Sequence, residues 1–310
     1  MIQLDITIII TAYNYGHFLK GAIKAALAQD HPNVRVIVID DGSTDNTPEI
    51  AAEFGDSITY VRQQNSGLPK TRNAGLREAR TEWVIFMDAD DRLSPEAASL
   101  AVKFLQKSGV ATNLVVFGEQ IFSDDLYEPV HVDEGVLQLP LQAISLRDVV
   151  LRNRFGICGL ARRSAMLEVG GFNPLAGGSD DRDMLIKLAH SGPIYFLDSP
   201  LRHYRIHSAS MCHNTVKQSA HTDWVLKHAR EKFGSFLPPS DWAMARAIFL
   251  YQVAYSFFLE RSLKNAAGAC LRSIATKPLI SSSDFSAMPF LARTRLLLRL
   301  AFELTCLRKH

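Results

Sequence analysis

The 310-residue chain has few cysteines and no long apolar run. Its four cysteines are scattered without a C-x-x-C pair, which argues against a zinc site and suits a reducing compartment. The longest apolar stretch, residues 247–259, is too short to span a bilayer and contains Gln252. No basic segment precedes the first apolar run, so a signal peptide is not expected. We therefore expect a cytoplasmic protein.

No glycine-rich phosphate-binding loop is present. The first β-branched run is not followed by G-x-G-x-x-G, which disfavours a dinucleotide-binding Rossmann domain, and no P-loop pattern occurs. The lack of a glycine-rich N-terminal phosphate loop also disfavours a sugar nucleotidyltransferase. Phosphate charge would have to be met by a metal ion and by basic residues such as Lys70 and Arg72.

The formal net charge of +2 hides an uneven distribution. Residues 211–310 contain 14 Lys and Arg against 6 Asp and Glu, whereas the first 210 residues contain 20 against 26. The basic charge therefore lies in the C-terminal segment, and it lacks the interleaved aromatic residues that form a base-stacking platform. Nucleic acid is not an expected partner.

Strand and helix patterns alternate through the first half of the chain. Strand patterns occupy residues 5–13, 34–41, 58–63, 83–90 and 113–120. Thr47 is predicted to cap the start of one helix, with Pro48 at the first helical position. Ser94 is predicted to cap another helix in the same way. This alternation predicts a mostly parallel sheet with helices on both faces. Helical patterns dominate after residue 215, so the predicted domains are 1–214 and 215–310.

Polar residues follow the predicted strands at their carboxyl ends. The first strand ends in Thr11-Ala12-Tyr13-Asn14, the second in Asp40 and Asp41, and a later one in Asp88 and Asp90. In open α/β sheets, ligands bind beyond the carboxyl ends of the strands. We expect these separated segments to meet at one binding site.

The segment FMDADDRLSP places Asp88, Asp90 and Asp91 at the end of an apolar run. A D-x-D pair with open coordination positions suits Mg²⁺ or Mn²⁺ bound together with a diphosphate. An EF-hand calcium loop is excluded, because its sixth position would be Leu93 and its twelfth Ser99. Solvated acids before a helix are an equally good explanation of this segment taken alone.

The chain resembles family 2 glycosyltransferases of the GT-A fold across residues 5–207. The resemblance rests on the order and spacing of TAYN, VIDDGSTDNT, NSGLPKTRNAG, FMDADD, GGFN and DDRDMLIKLAHSG. It implies a Rossmann-like α/β domain with a mostly parallel central sheet and flanking helices, followed here by a C-terminal helical segment. It also implies metal-dependent sugar transfer, with inversion, from a nucleotide-diphosphate sugar to a hydroxyl of a saccharide or lipid-linked saccharide. UDP is the expected nucleotide, as the commonest in the family.

The resemblance also assigns roles to residues. Nucleotide-sugar contacts fall on Thr11, Tyr13, Asn14, Asp40, Asp41, Lys70, Arg72, Asp88, Asp91 and Asp180. The metal, Mn²⁺ or Mg²⁺, would be held by Asp88, Asp90 and the His207 of HYRIH, whereas His203 has a structural role.

The general base of the family corresponds to Asp181. A Glu-Asp pair of the family matches Asp180-Asp181 here, so the first position departs from the pattern by having the shorter acid. This departure is the main support for an alternative function, a catalytically degenerate sugar-nucleotide-binding or scaffold protein.

The C-terminal segment LARTRLLLRLAFELTCLRKH is both apolar and basic. We favour a helix docked on the catalytic domain with a solvated basic face, and Arg293, Arg295 and Arg299 lie among its leucines. The alternative is an interfacial helix that brings the enzyme to the inner face of an anionic membrane. The apolar stripe from Phe249 to Phe258 is expected to be core.

Overall fold

The computed structural model describes residues 4–108, 111–123, 131–133, 135, 142–152, 155–207, 215–278 and 292–306. The chain divides into two compact units. The first comprises Met1–Val149 and Arg154–Ser210, and the second comprises Val150–Asn153 and Met211–His310. The division into domains at residue 214 stays a prediction.

The described strands form one nine-stranded sheet in the first unit, in the order β3-β2-β1-β4-β8-β6-β9-β5, with β7 paired to β9. Their bounds are β1 (Ile6–Ala12), β2 (Val34–Asp40), β3 (Thr59–Arg62), β4 (Trp83–Asp88), β5 (Arg92–Leu93), β6 (Leu114–Phe122), β7 (Gln142–Ile144), β8 (Gly159–Arg162) and β9 (Ile194–Arg205).

The sheet is mostly parallel, as predicted. Strands β1 to β4 pair in parallel, and so do β6 and β9. The antiparallel strand β8 lies between β4 and β6, while β5 and β7 run antiparallel to β9. Since every residue of β1 is buried, this strand is covered on both faces, as its unbroken β-branched run indicates.

Helices cover the sheet. They are α1 (Gly16–Leu27), α2 (Thr47–Ala52), α3 (Leu68–Glu78), α4 (Ala97–Ser108), α5 (Leu146–Leu151), α6 (Arg163–Glu168) and α7 (Asp180–Ser191). Apolar residues at helical spacing in α1, such as Leu19 and Ile23, are fully buried against the sheet. A 3-10 helix, Pro174–Ser179, leads directly into α7.

The start of α2 differs from the prediction that Thr47 is its cap. Helix α2 begins at Thr47, and Asp45 supplies the cap by accepting from the Thr47 backbone N–H at 3.0 Å and from its hydroxyl at 2.6 Å. The other oxygen of Asp45 accepts from the Gly16 N–H at 2.9 Å, where α1 begins. One carboxylate therefore caps two helices.

The start of α4 also differs from prediction, since Ser94 does not cap it. The helix begins at Ala97, and the Ser94 hydroxyl is buried without a hydrogen-bond partner among the described residues. The Gln29 amide oxygen accepts from the Ala98 N–H at 3.0 Å instead. A side chain just beyond the C-terminal end of α1 thus satisfies the orphan donor.

The second unit is helical. Its described helices are α8 (Thr215–Phe233), α9 (Pro239–Leu259), α10 (Leu263–Thr276) and α11 (Ala292–Cys306). Most of the predicted apolar stripe in α9 is core: Phe249, Leu250, Val253 and Phe258 are all buried. Among the described helices, none combines the length and apolarity that crossing a membrane requires.

Helix α11 packs on α10 and uses one of its basic residues inside the unit. Arg293 is buried and donates to the carbonyls of Ser273, Lys277 and Pro278, at the C-terminal end of α10. The expectation of a solvated basic face is therefore wrong for Arg293. Its guanidinium satisfies carbonyl groups that a helix terminus leaves without intrahelical partners.

Candidate active site

Strand register brings the predicted site residues to one edge of the sheet. Ala12 pairs with Asp40 on one side of β1, and Thr11 pairs with Asp88 on the other. The Thr11 hydroxyl donates to the Asp88 carboxylate at 3.0 Å. Neighbouring parallel strands therefore end together, as the strand patterns indicate.

Asn14 holds the loop after β1 in place. It has a φ of 55°, a left-handed conformation that Asn tolerates better than most residues. Its backbone N–H donates to the Ser43 hydroxyl at 2.9 Å, and its side-chain oxygen accepts from the Thr44 N–H at 2.8 Å. These bonds tie the β1 loop to the β2 loop.

Asp40 is fully buried and its carboxylate already has several donors. Ser43 donates its N–H and hydroxyl to one oxygen, at 2.8 and 2.5 Å. The Tyr60 hydroxyl donates to the other at 2.6 Å, and Arg62 lies 3.5 Å from it. Burial and the Asp40 charge raise the pKa of Tyr60. Asp40 therefore shapes the loop after β2.

Asp41 is likewise buried and hydrogen-bonded within the protein. One carboxylate oxygen accepts from the Gln63 amide at 2.7 Å and the Ser66 N–H at 2.9 Å, and the other accepts from the Gly67 N–H at 2.8 Å. These bonds fix the turn at Gly67 that precedes α3, where φ is 87°.

Tyr13 and Lys70 are exposed at this part of the chain. Tyr13 has 47% of its surface accessible, and Lys70 is an exposed residue of the first turn of α3. Their side chains are thus open to a ligand in solution, in contrast to those of Asp40 and Asp41.

Arg72 lies at the centre of a buried ionic cluster. One terminal nitrogen, Nη1, donates to Asp180 at 2.8 Å and also to Asp181. The other, Nη2, donates to the Asp88 carboxylate at 3.1 and 3.4 Å. The guanidinium also lies 5.5 Å from the ring centre of Phe172. One arginine thus joins three acids from two separated segments.

The surroundings shift the pKa values of Asp88 and Asp180 in opposite directions. Burial opposes ionisation of Asp88, but the charges of Arg72 and Arg202 outweigh it and lower the pKa of Asp88. For Asp180, burial prevails over the attraction of Arg72, and the charge of Asp181 adds to it, raising the pKa of Asp180 to about 7. Asp88 is therefore the more readily ionised of the two.

The segment after β4 brings three carboxylates together. Oxygens of Asp88, Asp90 and Asp91 lie within 4.8 Å of one another. His207, just beyond β9, has its Nε2 atom 3.0 Å from an Asp90 oxygen. Burial and the charge of Asp88 raise the pKa of Asp90. Asp90 therefore lies next to both of the other predicted metal ligands, Asp88 and His207.

Asp91 is engaged differently from its two neighbours. One of its oxygens accepts from Arg202 Nε at 2.8 Å and Nη2 at 2.6 Å, and the other accepts from the Arg205 N–H at 3.1 Å. Burial raises its pKa to about 7 against the opposing charge of Arg202. Asp91 therefore anchors the acidic segment to β9.

Two arginines of β9 support the acidic segment and were not predicted. Besides the Arg202 pair, Arg205 Nε donates to the Asp90 carbonyl at 2.7 Å. The Arg205 guanidinium lies over the rings of Phe18 and Phe122, at 4.6 and 4.4 Å from their centres. The Tyr-Arg-x-His segment contains Arg205, but a role was inferred there only for the histidine.

His203 also belongs to β9, and it is buried in the sheet. Its strand position pairs with Arg92 of β5 and with Gln120 of β6. Burial lowers its pKa. These surroundings agree with the structural role expected for His203.

Asp180 and Asp181 occupy the first turn of α7, where a helix favours negative charge. The Asp180 side chain is 2% exposed, whereas that of Asp181 is 33% exposed. The Ile157 N–H lies 3.4 Å from the second oxygen of Asp181. Of the pair, Asp181 is the one accessible to a substrate.

Comparisons with known proteins identify the family of this chain. Residues 7–170 match the model of glycosyl transferase family 2. A glycosyltransferase of Nostoc is 30% identical over 249 residues, which cover 76% of each chain. Another of Rickettsia conorii is 30% identical over 207 residues, covering 66% of this chain and only 34% of its own. The chain belongs to glycosyl transferase family 2.

Solved structures show the same fold. The mannosyltransferase PcManGT of Pyrobaculum calidifontis, in complex with GDP-Man and Mn²⁺, superimposes with a TM-score of 0.60 at 19% identity, covering 98% of this chain and 87% of its own. TarS 1–349 of S. aureus, in complex with UDP-GlcNAc, gives 0.58 at 17% identity, covering 88% and 89%. The prediction of a GT-A glycosyltransferase fold is confirmed.

Proposed function

We propose that the chain transfers a sugar, with inversion, from a nucleotide-diphosphate sugar to an acceptor hydroxyl, with Asp181 as general base. The observation that supports this most directly is the Arg72 cluster, which places the accessible Asp181 beside the acidic segment of the predicted donor site. The proteins of similar fold bind UDP-GlcNAc and GDP-Man, which supports a nucleotide-sugar donor for this chain.

The residues present fit a divalent metal ion. Asp88 and Asp90 offer carboxylate oxygens within 4.8 Å of one another, and His207 lies next to Asp90. Oxygen ligands with one imidazole suit Mn²⁺ or Mg²⁺. When bound, such an ion would neutralise negative charge on the departing diphosphate.

The remaining chemistry falls to side chains of this protein. Asp181 would accept the proton of the acceptor hydroxyl as its oxygen bonds to the anomeric carbon. The bond from that carbon to the diphosphate oxygen breaks at the same time, and the nucleoside diphosphate leaves. Attack from the face opposite the leaving group inverts the anomeric configuration. The exposed Tyr13 would pack near the base, and the exposed Lys70 would meet phosphate charge.

A saccharide or lipid-linked saccharide remains the proposed acceptor, with UDP as the proposed donor nucleotide. The alternative, a catalytically degenerate sugar-nucleotide-binding or scaffold protein, rests mainly on the shorter acid at position 180, and one contact of that residue weighs against it. Asp180, the shortened acid, still reaches Arg72 at 2.8 Å. The departure from the family pattern thus leaves this position with an ionic partner.

The substitution Asp181→Asn tests the proposed general base. We expect kcat to fall by at least ~10²-fold, since the amide cannot take the proton, while donor affinity stays within about threefold. Steady-state transfer rates and calorimetric donor titrations measure the two effects. Asp198→Asn, which changes an exposed acid of β9, is the matched control and should behave as wild type. Near-normal kcat in Asp181→Asn would refute the assignment.

A further inference from the structure

The sequence predicts that Arg72 approaches the base or the phosphates of the donor, but the structure surrounds this side chain with acids. Arg72 is 4% exposed. Both of its terminal nitrogens already donate to carboxylates, and its Nε is buried without a hydrogen-bond partner among the described residues. A donor phosphate would have to displace one of these acids to reach it.

The two terminal nitrogens of Arg72 contact two parts of the proposed reaction site. Nη2 holds Asp88, a predicted metal ligand, and Nη1 holds Asp181, the proposed base. A guanidinium is planar and presents its donors in a fixed fork. The separation and relative orientation of the two carboxylates are therefore set by one rigid group.

A second set of contacts, at the adjacent residue, supports the same arrangement. The Asn73 side chain donates to the Phe172 carbonyl at 2.7 Å and accepts from the Phe172 N–H at 2.8 Å. The Phe172 ring contacts Phe86 of β4, with 5.1 Å between ring centres. Two successive residues of α3 therefore make these contacts: Arg72 with the start of α7, and Asn73 with the segment that precedes it.

We propose that Arg72 is a positioning residue, which fixes the base carboxylate of Asp181 relative to Asp88 and does not touch the donor. This inference rests on the proposed function and adds to it a residue that acts through another. Misplacing a reacting group by about 1 Å costs on the order of 10²-fold in rate. A lysine at this position keeps the positive charge but lacks the planar, forked arrangement of N–H donors.

The variant Arg72→Lys separates positioning from donor contact. Positioning predicts that kcat falls by roughly 10²-fold while the Kd for the nucleoside diphosphate and the donor KM stay within about threefold. Contact with the base or phosphates predicts the reverse, a weaker Kd with little change in kcat. Arg77→Lys, at an exposed position of the same helix, is the matched control and should match wild type.

The double variant Arg72→Lys with Asp181→Asn tests whether the arginine acts through the base. If it does, the double variant is no slower than Asp181→Asn alone, because the group being positioned is already lost. Additive losses in kcat would overturn the proposal. If circular dichroism shows that Arg72→Lys does not fold, the variant Asp180→Ala is measured in its place. Removing that charged hydrogen bond should lower kcat about tenfold at unchanged Kd, and an unchanged kcat would overturn the proposal.

The outcomes distinguish this inference from the proposed function. A wild-type chain without transfer activity towards any nucleotide sugar refutes the proposed function, and the inference with it. An active wild type whose Arg72→Lys variant keeps its kcat, or loses donor affinity instead, overturns the inference alone.

Discussion

At the scale of single residues, the acids of the site divide by what they contact. Asp40, Asp41 and Asp91 accept several hydrogen bonds from the protein and fix loops. Asp90 and Asp181 each have fewer protein donors and remain partly accessible. A carboxylate whose oxygens are saturated by backbone and side-chain donors has little capacity left for a ligand. We therefore propose metal binding at Asp90, together with Asp88, and proton transfer at Asp181.

Cys158 lies buried in the first unit, where its thiol interacts electrostatically with Arg202, Asp91 and Asp88. Burial raises the pKa of its thiol to about 12, with the nearby acids adding to the effect and Arg202 opposing it. We predict that iodoacetamide at pH 8 leaves Cys158 unmodified in the native protein, because the thiolate is the reactive form.

Mass spectrometry of the peptide containing Cys158 measures this directly. The same reaction in urea is the control and should give complete labelling. Labelling of the native protein at the rate of the unfolded chain would contradict the burial and the raised pKa.

The sequence predicts which site residues lie close together better than it predicts which side chains form hydrogen bonds with each other. The strand patterns place Thr11, Asp40 and Asp88 at the same edge because parallel strands end together. They do not predict that Arg72 pairs with Asp180, which is 108 positions away. That pairing depends on where α3 and α7 pack, and on burial that leaves the guanidinium no solvent. Contacts of this kind follow from tertiary structure and have no local sequence signal.

At the scale of helices and strands, Asp45 accepts hydrogen bonds at the starts of both α1 and α2. We predict that Asp45→Ala lowers the free energy of unfolding by about 1–2 kcal/mol, from the loss of the caps. Urea denaturation measures the change. Asp56→Ala, at an exposed acid near the end of α2, is the control and should have little effect.

The contribution of Asp45 to the free energy of unfolding should also depend on pH. Burial opposes ionisation, but hydrogen bonds from the Thr47 hydroxyl and from the Gly16 and Thr47 amides outweigh it and lower the pKa of Asp45 below 3.8. The stabilisation is therefore fully present above the unfolded value and is lost as pH falls through the lower folded value. The difference between wild type and Asp45→Ala should shrink in acid. A constant difference down to pH 2 would contradict this account.

Element boundaries were predicted well where the pattern is local. The β-branched runs predict β1 to β4 within a few residues. Helix caps were predicted less well. Both Ser94 and Thr47 fit cap preferences, but Gln29 and Asp45 take the role. A cap from another element is decided by packing, which single-sequence preference does not include.

At the scale of the whole molecule, the first unit contains the full set of predicted site residues. The second unit is a helical assembly in which α11 packs through Leu296 and Leu300, and the buried Arg293 serves the end of α10. The described part of α11 therefore packs within its own unit, and contact of α11 with a membrane stays an alternative prediction. The chain spans 34% of the length of the Rickettsia relative, so the activity proposed here concerns this chain alone.

Metal-dependent binding of a nucleoside diphosphate tests the central claim most directly. Calorimetric titrations of UDP, GDP, dTDP and CDP into the wild-type chain, with Mn²⁺ and then with EDTA, identify the nucleotide and its need for metal. We predict that one nucleotide binds with Mn²⁺, and that EDTA or Asp90→Ala weakens its binding at least ~10-fold, because both remove charge neutralisation at the diphosphate. Equal affinity in EDTA and in Asp90→Ala would contradict a metal–diphosphate site at this edge of the sheet.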